Sequence, residues 1–240
     1  LRIMRRTLIN QISKRCDKSK EIITGVVHAL LSRSIFIKYL EERKDSNGET
    51  VFPQDFYCNF MESAKRYTDV LNSKEATYNL FRILKDKFNG DTLQVSEIET
   101  EIITQDDLDE LRAFILGDSE LESRQLTLWP LYSFDIIPIQ LISSIYELFF
   151  HLSDEEDEKG TYYTPLHLVN LVMDEVYPWE GEYKDISFFD PSCGSGIFLV
   201  EAYRRLVCRW MSQNAVQAIT CAQLNLLLKN SIFGVDINEE

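Results

Sequence analysis

Histidine is scarce in this chain, and its cysteines are not arranged for metal. The 240 residues hold three histidines, at 28, 151 and 167, and five cysteines, at 16, 58, 193, 208 and 221. No CxxC pair occurs, and no histidine stands at ligand spacing from a cysteine, which removes the common structural zinc frameworks. The odd, unpatterned cysteines fit reduced thiols of a cytoplasmic protein, not a disulfide scaffold. Long apolar runs are missing too. The stretch 136–152 is broken by Pro138, Gln140, Ser143, Ser144 and Glu147, so no apolar run reaches the ~20 residues that span a membrane. No signal-peptide pattern is present. Leu stands first instead of Met, so the sequence reads as a trimmed chain or an internal piece, and a missing leader decides little.

Positive charge is also in short supply. A net charge of −14 disfavours wrapping a phosphate backbone. The charge is unevenly spread, however. Residues 1–44 carry 11 Lys/Arg against 4 Asp/Glu, and the other 196 residues carry 14 against 35. A basic helical start is either a solvated face or a contact for DNA phosphates. A hydrophobic content of 45% with 12% aromatics supports one large or two modest globular domains.

Residues 1–44 show helical periodicity through Ile22, Val26, Ala29, Leu30, Ile37 and Leu40, ending in the charged loop EERKDSNGE. Two more helices are expected over 53–90, the second from Asp69 to Phe88 with Asn89-Gly90 as its stop. Residues 91–124 hold 11 acids and two arginines. Within them Thr104 is an expected N-cap, with Asp106 and Asp107 in the first turn and Gly117 closing the helix after Leu116. A further helix is expected at 133–152, with Ile137, Leu141, Ile145, Leu148 and Phe149 as its core stripe. The charged run DEEDEKG at 154–160 reads as a linker. The expected organisation is a helical domain over 1–153 and an α/β domain from 154 to 240.

The most informative stretch is FFDPSCGSG, 188–196. An apolar run meets Asp190, a turn carries Gly194 and Gly196, and an apolar helical run starts at Ile197. That is the grammar of strand, glycine turn and helix, where glycine lets backbone approach a ligand and the helix N-terminus offers free N–H groups. Leu199 stands where a dinucleotide fingerprint has its third glycine, which disfavours NAD. Upstream lies GTYYTP, 160–165, with Thr164 as expected N-cap and Pro165 in the first turn of a helix that Tyr177-Pro178 closes. Downstream, helices are expected at 197–212 and 215–229, the second with Leu224, Leu227 and Leu228 inward. A strand in SIFGVDIN, 231–238, then ends in an acid.

GTYYTP, DPSCGSG and SIFGVDIN, in this order, resemble the motif X, motif I and second-strand regions of N6-adenine DNA methyltransferases of restriction-modification systems. The likeness is to the group of type I modification subunits and fused type IIG enzymes. LLSRSIFIKYLEERKD (30–45) and SSIYELFFHL (143–152) are similar to that group's helical N-terminal region. The resemblance implies a mostly α N-terminal domain followed by the start of a Rossmann-like α/β domain that binds S-adenosylmethionine. It implies a cofactor site made of Thr161, Tyr162, Tyr163, Thr164, Pro165, Asp190, Ser192, Cys193, Gly194, Ser195, Gly196 and Asp236. The Tyr/Thr block would line the methionine end, Asp190 would orient the turn or bind the ammonium, and Asp236 would accept from ribose hydroxyls. Cys193 reads as a small turn residue and not a nucleophile. Asp236 lies 40 residues beyond Gly196 because two helices intervene, where a dinucleotide site has its acid ~20 residues on.

Transfer to a flipped adenine needs acceptors and stacking at the exocyclic amine. In the resembling group an Asn/Asp-Pro-Pro-aromatic motif supplies them, and in this chain Pro never follows Pro. The expectation is a fragment of a DNA methyltransferase, inactive alone, with no metal. Its parent would meet double-stranded DNA and a specificity or nuclease subunit or fused domain. The triplets Glu42-Arg43-Lys44 and Glu182-Tyr183-Lys184 lack the partner acid of a nuclease. Alternatives are a methyltransferase acting on RNA or protein, and a helical partner- or DNA-binding module.

Overall fold

The computed structural model describes residues 1–44, 48, 50–88, 93–117 and 164–236. The helix expected at 133–152, the linker 154–160, Asn89-Gly90 and Thr161, Tyr162 and Tyr163 lie outside the described residues. The chain divides into two compact units, Leu1–Glu155 and Glu156–Glu240.

In the first unit the described elements are helical. The periodic run at the start is two helices, α1 (Arg2–Arg15) and α2 (Lys20–Glu42). The break falls where Ser19 caps α2, its Oγ accepting from the Ile22 N–H at 3.3 Å. A 3-10 turn (Phe56–Asn59) stacks Phe56 on Phe52 at 4.6 Å. Next come α3 (Tyr67–Val70), α4 (Lys74–Phe88), α5 (Glu97–Ile102) and α6 (Gln105–Leu116). The single helix expected from Asp69 is thus two, interrupted at Leu71–Ser73. The short α5, capped by Ser96 through the Glu99 N–H at 3.1 Å, was hidden in the acidic stretch. At α6 the expected signals meet: the Asp107 carboxylate accepts from the Thr104 N–H at 2.8 Å, and Gly117 ends the helix at φ 79°. Met4, Leu8 and Ile12 of α1, Val27, Leu30 and Ile37 of α2, and Leu80, Phe81 and Leu84 of α4 build one core.

By length and composition, α2 is apolar enough to cross a membrane, against the expectation that no stretch is. Yet its middle carries Arg33, fully buried against protein. The guanidinium donates to both carboxylate oxygens of Glu99, at 2.7 and 3.0 Å, and to the Gln94 carbonyl at 3.0 Å. It also lies 4.8 Å from the Phe81 ring centre. A charge taken out of water is tolerable only with such saturation. The pair ties α2 to α5 across 66 residues of sequence.

In the second unit, α7 (Leu166–Val176) packs on α8 (Ile197–Gln213) through Val169, Met173, Ala202 and Leu206. Strand β1 (Phe188–Asp190) pairs in parallel with β2 (Ile232–Gly234), Phe188 opposite Ile232 and Asp190 opposite Gly234. The crossover is α8 and α9 (Cys221–Ser231). The helix expected from 215 starts six residues later. Ala215 at φ 52° closes the turn after α8, and Thr220 with Gln223 forms a capping box. Leu227 faces inward, but Leu228 is exposed. Between α7 and β1 the backbone is held by Arg209. Its guanidinium donates to the carbonyls of Pro178, Glu180 and Glu182 and lies 3.8 Å from the Tyr177 ring centre. Gly181 takes φ 139°, and a Cβ there would stand 3.0 Å from that guanidinium.

Arg33→Ala leaves Glu99 buried without its counter-charge and should lower stability by ~3–5 kcal/mol. Arg33→Met with Glu99→Leu should recover much of it in urea denaturation. An unchanged midpoint in Arg33→Ala would refute the role of this pair. A second prediction concerns His28, whose Nε2 accepts from Arg5 Nε at 2.6 Å. Burial, then the Arg5 charge, pushes its pKa down to about 4. The neutral imidazole therefore contributes stability above the ordinary value of 6.5 that is lost as pH falls from there toward 4. Imidazole NMR should show His28 titrating well below 6.5, and Arg5→Leu should move it upward.

Candidate functional site: the glycine turn between β1 and α8

Strand β1 ends at Asp190, and the chain reverses over Pro191–Gly196 before α8. Four contacts fix the reversal. The Ser192 N–H donates to Asp190 Oδ1 at 3.1 Å, and the Gly196 N–H donates to the Cys193 carbonyl at 2.8 Å. The Cys193 N–H donates to the Val235 carbonyl at 3.0 Å, while the Val235 N–H donates to the Asp190 carbonyl at 2.9 Å. The last two carry the β1–β2 ladder past the strands, so the turn is sewn to the end of β2. Gly194 at φ 51° and Gly196 at φ 76° adopt the left-handed backbone that other residues adopt at a cost. Gly196 is also the N-cap of α8. Among the described residues, a Cβ placed on either glycine meets no atom beyond its chain neighbours within 4 Å. The need for glycine here is thus conformational, and among the described residues space stands open beside the turn.

Asp236 closes the arrangement. Its Oδ2 accepts from the Gly194 N–H at 2.8 Å across 42 residues of sequence. The structure thus brings together Asp190, Ser192, Cys193, Gly194, Ser195, Gly196 and Asp236. It treats the upstream block differently. Helix α7 starts at Leu166, not Pro165, and its N-cap is Pro165, not Thr164. The extended ψ of Pro165, 138°, keeps it outside the helix, and its carbonyl accepts the Leu168 N–H at 2.8 Å. Among the described residues, no hydrogen bond joins Thr164 to the turn.

Sequence reasoning missed Gly234, the last residue of β2. A Cβ there would fall 2.7 Å from Leu199 Cδ1, 3.0 Å from Cys193 Sγ and 3.3 Å from Cys193 Cβ. Glycine inside a strand is the signal that marks such close approach.

The turn is electronegative. Burial, then Asp236 and Asp190, pushes the Cys193 thiol above its ordinary pKa. This favours the neutral thiol and is the reverse of what activates a nucleophilic cysteine. Among the described residues, no group of three or more His, Cys, Asp or Glu side chains is placed to hold a metal ion.

Residues 138–240 match the N-6 DNA methylase family. This part of the chain is similar to that family. The matched segment contains β1, the glycine turn and β2. A type I restriction enzyme methylase subunit, MjaVII, of Methanocaldococcus jannaschii is 30% identical over 115 residues. That alignment covers 44% of this chain and 18% of the relative's length. No solved structure matches the chain.

Removing a neighbouring negative charge should release the thiol. Asp236→Asn should lower the Cys193 pKa and speed its alkylation at a fixed mildly alkaline pH. Mass-resolved labelling, with the exposed Cys208 as internal control, reads this. An unchanged rate at Cys193 would show that Asp236 exerts no field there.

Proposed function

We propose that the chain is part of a site-specific DNA adenine-N6 methyltransferase of a restriction-modification system, with S-adenosylmethionine as methyl donor. The observation that carries the reading is the Gly194–Asp236 hydrogen bond, which joins the glycine turn to the acid after β2. A strand, glycine turn, helix and returning parallel strand place both at the carboxyl ends of the strands. There, open α/β sheets bind their ligands. On this reading the second unit is the start of a Rossmann-like domain, preceded by a helical domain, with their boundary near residue 154. The methylase-family match and the name of the M. jannaschii relative support the choice of chemistry.

The bound cofactor would supply an electrophilic methyl group. This chain's residues bind and orient. The open space beside Gly194 and Gly196 admits a ligand against the backbone. Asp236, with one oxygen on the Gly194 N–H, is suited to accept from ribose hydroxyls through its carboxylate. Asp190 holds the turn through Ser192 and adds negative charge for the ammonium. Thr161, Tyr162, Tyr163, Thr164 and Pro165 would bound the methionine end. Adenine positioning belongs to an Asn/Asp-Pro-Pro-aromatic motif that these 240 residues lack, so they alone should not methylate DNA. We assign the parent a cytoplasmic location, double-stranded DNA as substrate and a specificity or nuclease partner, as subunit or fused domain.

Calorimetric titration of the whole chain with S-adenosylmethionine tests the site. The expected result is saturable binding, weakened roughly tenfold or more by Asp236→Ala through loss of a charge-assisted hydrogen bond. A flat titration of the wild-type chain would overturn the turn's assignment as a cofactor site in these residues. Methyl transfer to DNA by this chain would overturn its inactivity.

A further inference from the structure

A dinucleotide-binding turn uses its third glycine for close packing of helix on strand. Here that position is Leu199, yet α8 still packs against both strands. The room comes from the other partner. A Cβ at residue 234 would stand 2.7 Å from Leu199 Cδ1, inside any real carbon contact, and 3.3 Å from Cys193 Cβ. We infer that Gly234 is the positioning residue of the turn: by lacking a side chain it lets Leu199 and Cys193 settle onto β2, and so sets where Gly194 meets Asp236.

The argument runs through two contacts of unequal stiffness. Leu199 Cδ1 is the end of a flexible side chain and can swing aside. Cys193 cannot move freely, because its N–H is bonded to the Val235 carbonyl at 3.0 Å and its carbonyl to the Gly196 N–H at 2.8 Å. A methyl group at 234 therefore lifts the turn backbone once Leu199 has no further room. The Gly194 N–H then loses its 2.8 Å contact with Asp236. Gly234 takes no positive φ, so an alanine there is unstrained in its own backbone and its effect is steric alone.

The inference rests on the cofactor reading for its effect on affinity, but not for its effect on the turn. Two readouts therefore separate the two. Gly234→Ala should weaken S-adenosylmethionine binding roughly tenfold, the size expected of overpacking. It should also speed amide hydrogen exchange at Cys193, Gly194 and Gly196, leaving the amides of Cys221–Ser231 as in wild type. Adding Leu199→Ala and Cys193→Ala together removes the 2.7 and 3.0 Å contacts and should restore both readouts to within about twofold, whereas the Leu199→Ala/Cys193→Ala pair alone serves as control. A purely destabilising effect would speed exchange throughout the unit and would not be rescued. If the wild-type chain binds no S-adenosylmethionine but the exchange pattern and its rescue appear, the cofactor reading falls and Gly234 keeps its role. If Gly234→Ala leaves exchange at the turn unchanged, the role assigned to Gly234 is wrong whatever the ligand.

Discussion

The approach of the glycine turn to the end of β2 is the constraint on which the site depends. Parallel strands lie ~4.8 Å apart, and the ladder continues past them through Asp190, Val235 and Cys193. Only with that spacing does the Gly194 amide reach a carboxylate 42 residues away. The approach in turn needs three backbone facts: left-handed Gly194, left-handed Gly196 and a side-chain-free residue 234. Local conformation shapes the turn, and tertiary packing decides what it faces.

Both units reach their packing by burying arginine. Arg33 is saturated by Glu99 and Gln94 in the first. In the second, Arg205 is fully buried, pairs with Asp174 at 2.8 Å and donates to the Tyr177 carbonyl at 3.1 Å. One turn further along α8, Arg209 gathers three carbonyls of the loop that leads to β1. The planar fork suits this work, since a guanidinium serves several acceptors at once while stacking on an aromatic ring. An ammonium would offer fewer fixed directions. The arginines of α8 therefore fix the loop before β1, while the N-terminus of the same helix follows the turn.

Legibility in the sequence followed the range of the interaction. Strand, glycine turn and helix at 188–213 could be read because each signal acts within a few residues, and the same holds for Thr104, Asp107 and Gly117 around α6. α9 starts six residues past the expected 215, although Thr220 and Gln223 form a local box that marks its start. Thr164 was given a cap that Pro165 holds, since the two differ only in which ψ turns helical. Arg33 counted among the basic charges of residues 1–44. Its partner Glu99 sits in the acidic stretch, and nothing local links them. A glycine inside a strand hints at Gly234, but Leu199 and Cys193, which meet it only in the fold, cannot be read locally.

The charge at the turn narrows the chemistry that it suits. In a phosphate-binding turn the backbone amides ahead of the helix point at the ligand's oxygens. Here the Ser192 amide is used by Asp190 and the Gly194 amide by Asp236. Two carboxylates thus fill donor positions that a pyrophosphate would need, and their charge repels it. The same carboxylates attract groups that carry protons to donate, such as an ammonium or a pair of hydroxyls. A ligand that enters the open space beside Gly194 and Gly196 must therefore bring donors toward β1 and β2. An amino-acid end joined to a ribose, as in the proposed methyl donor, does so.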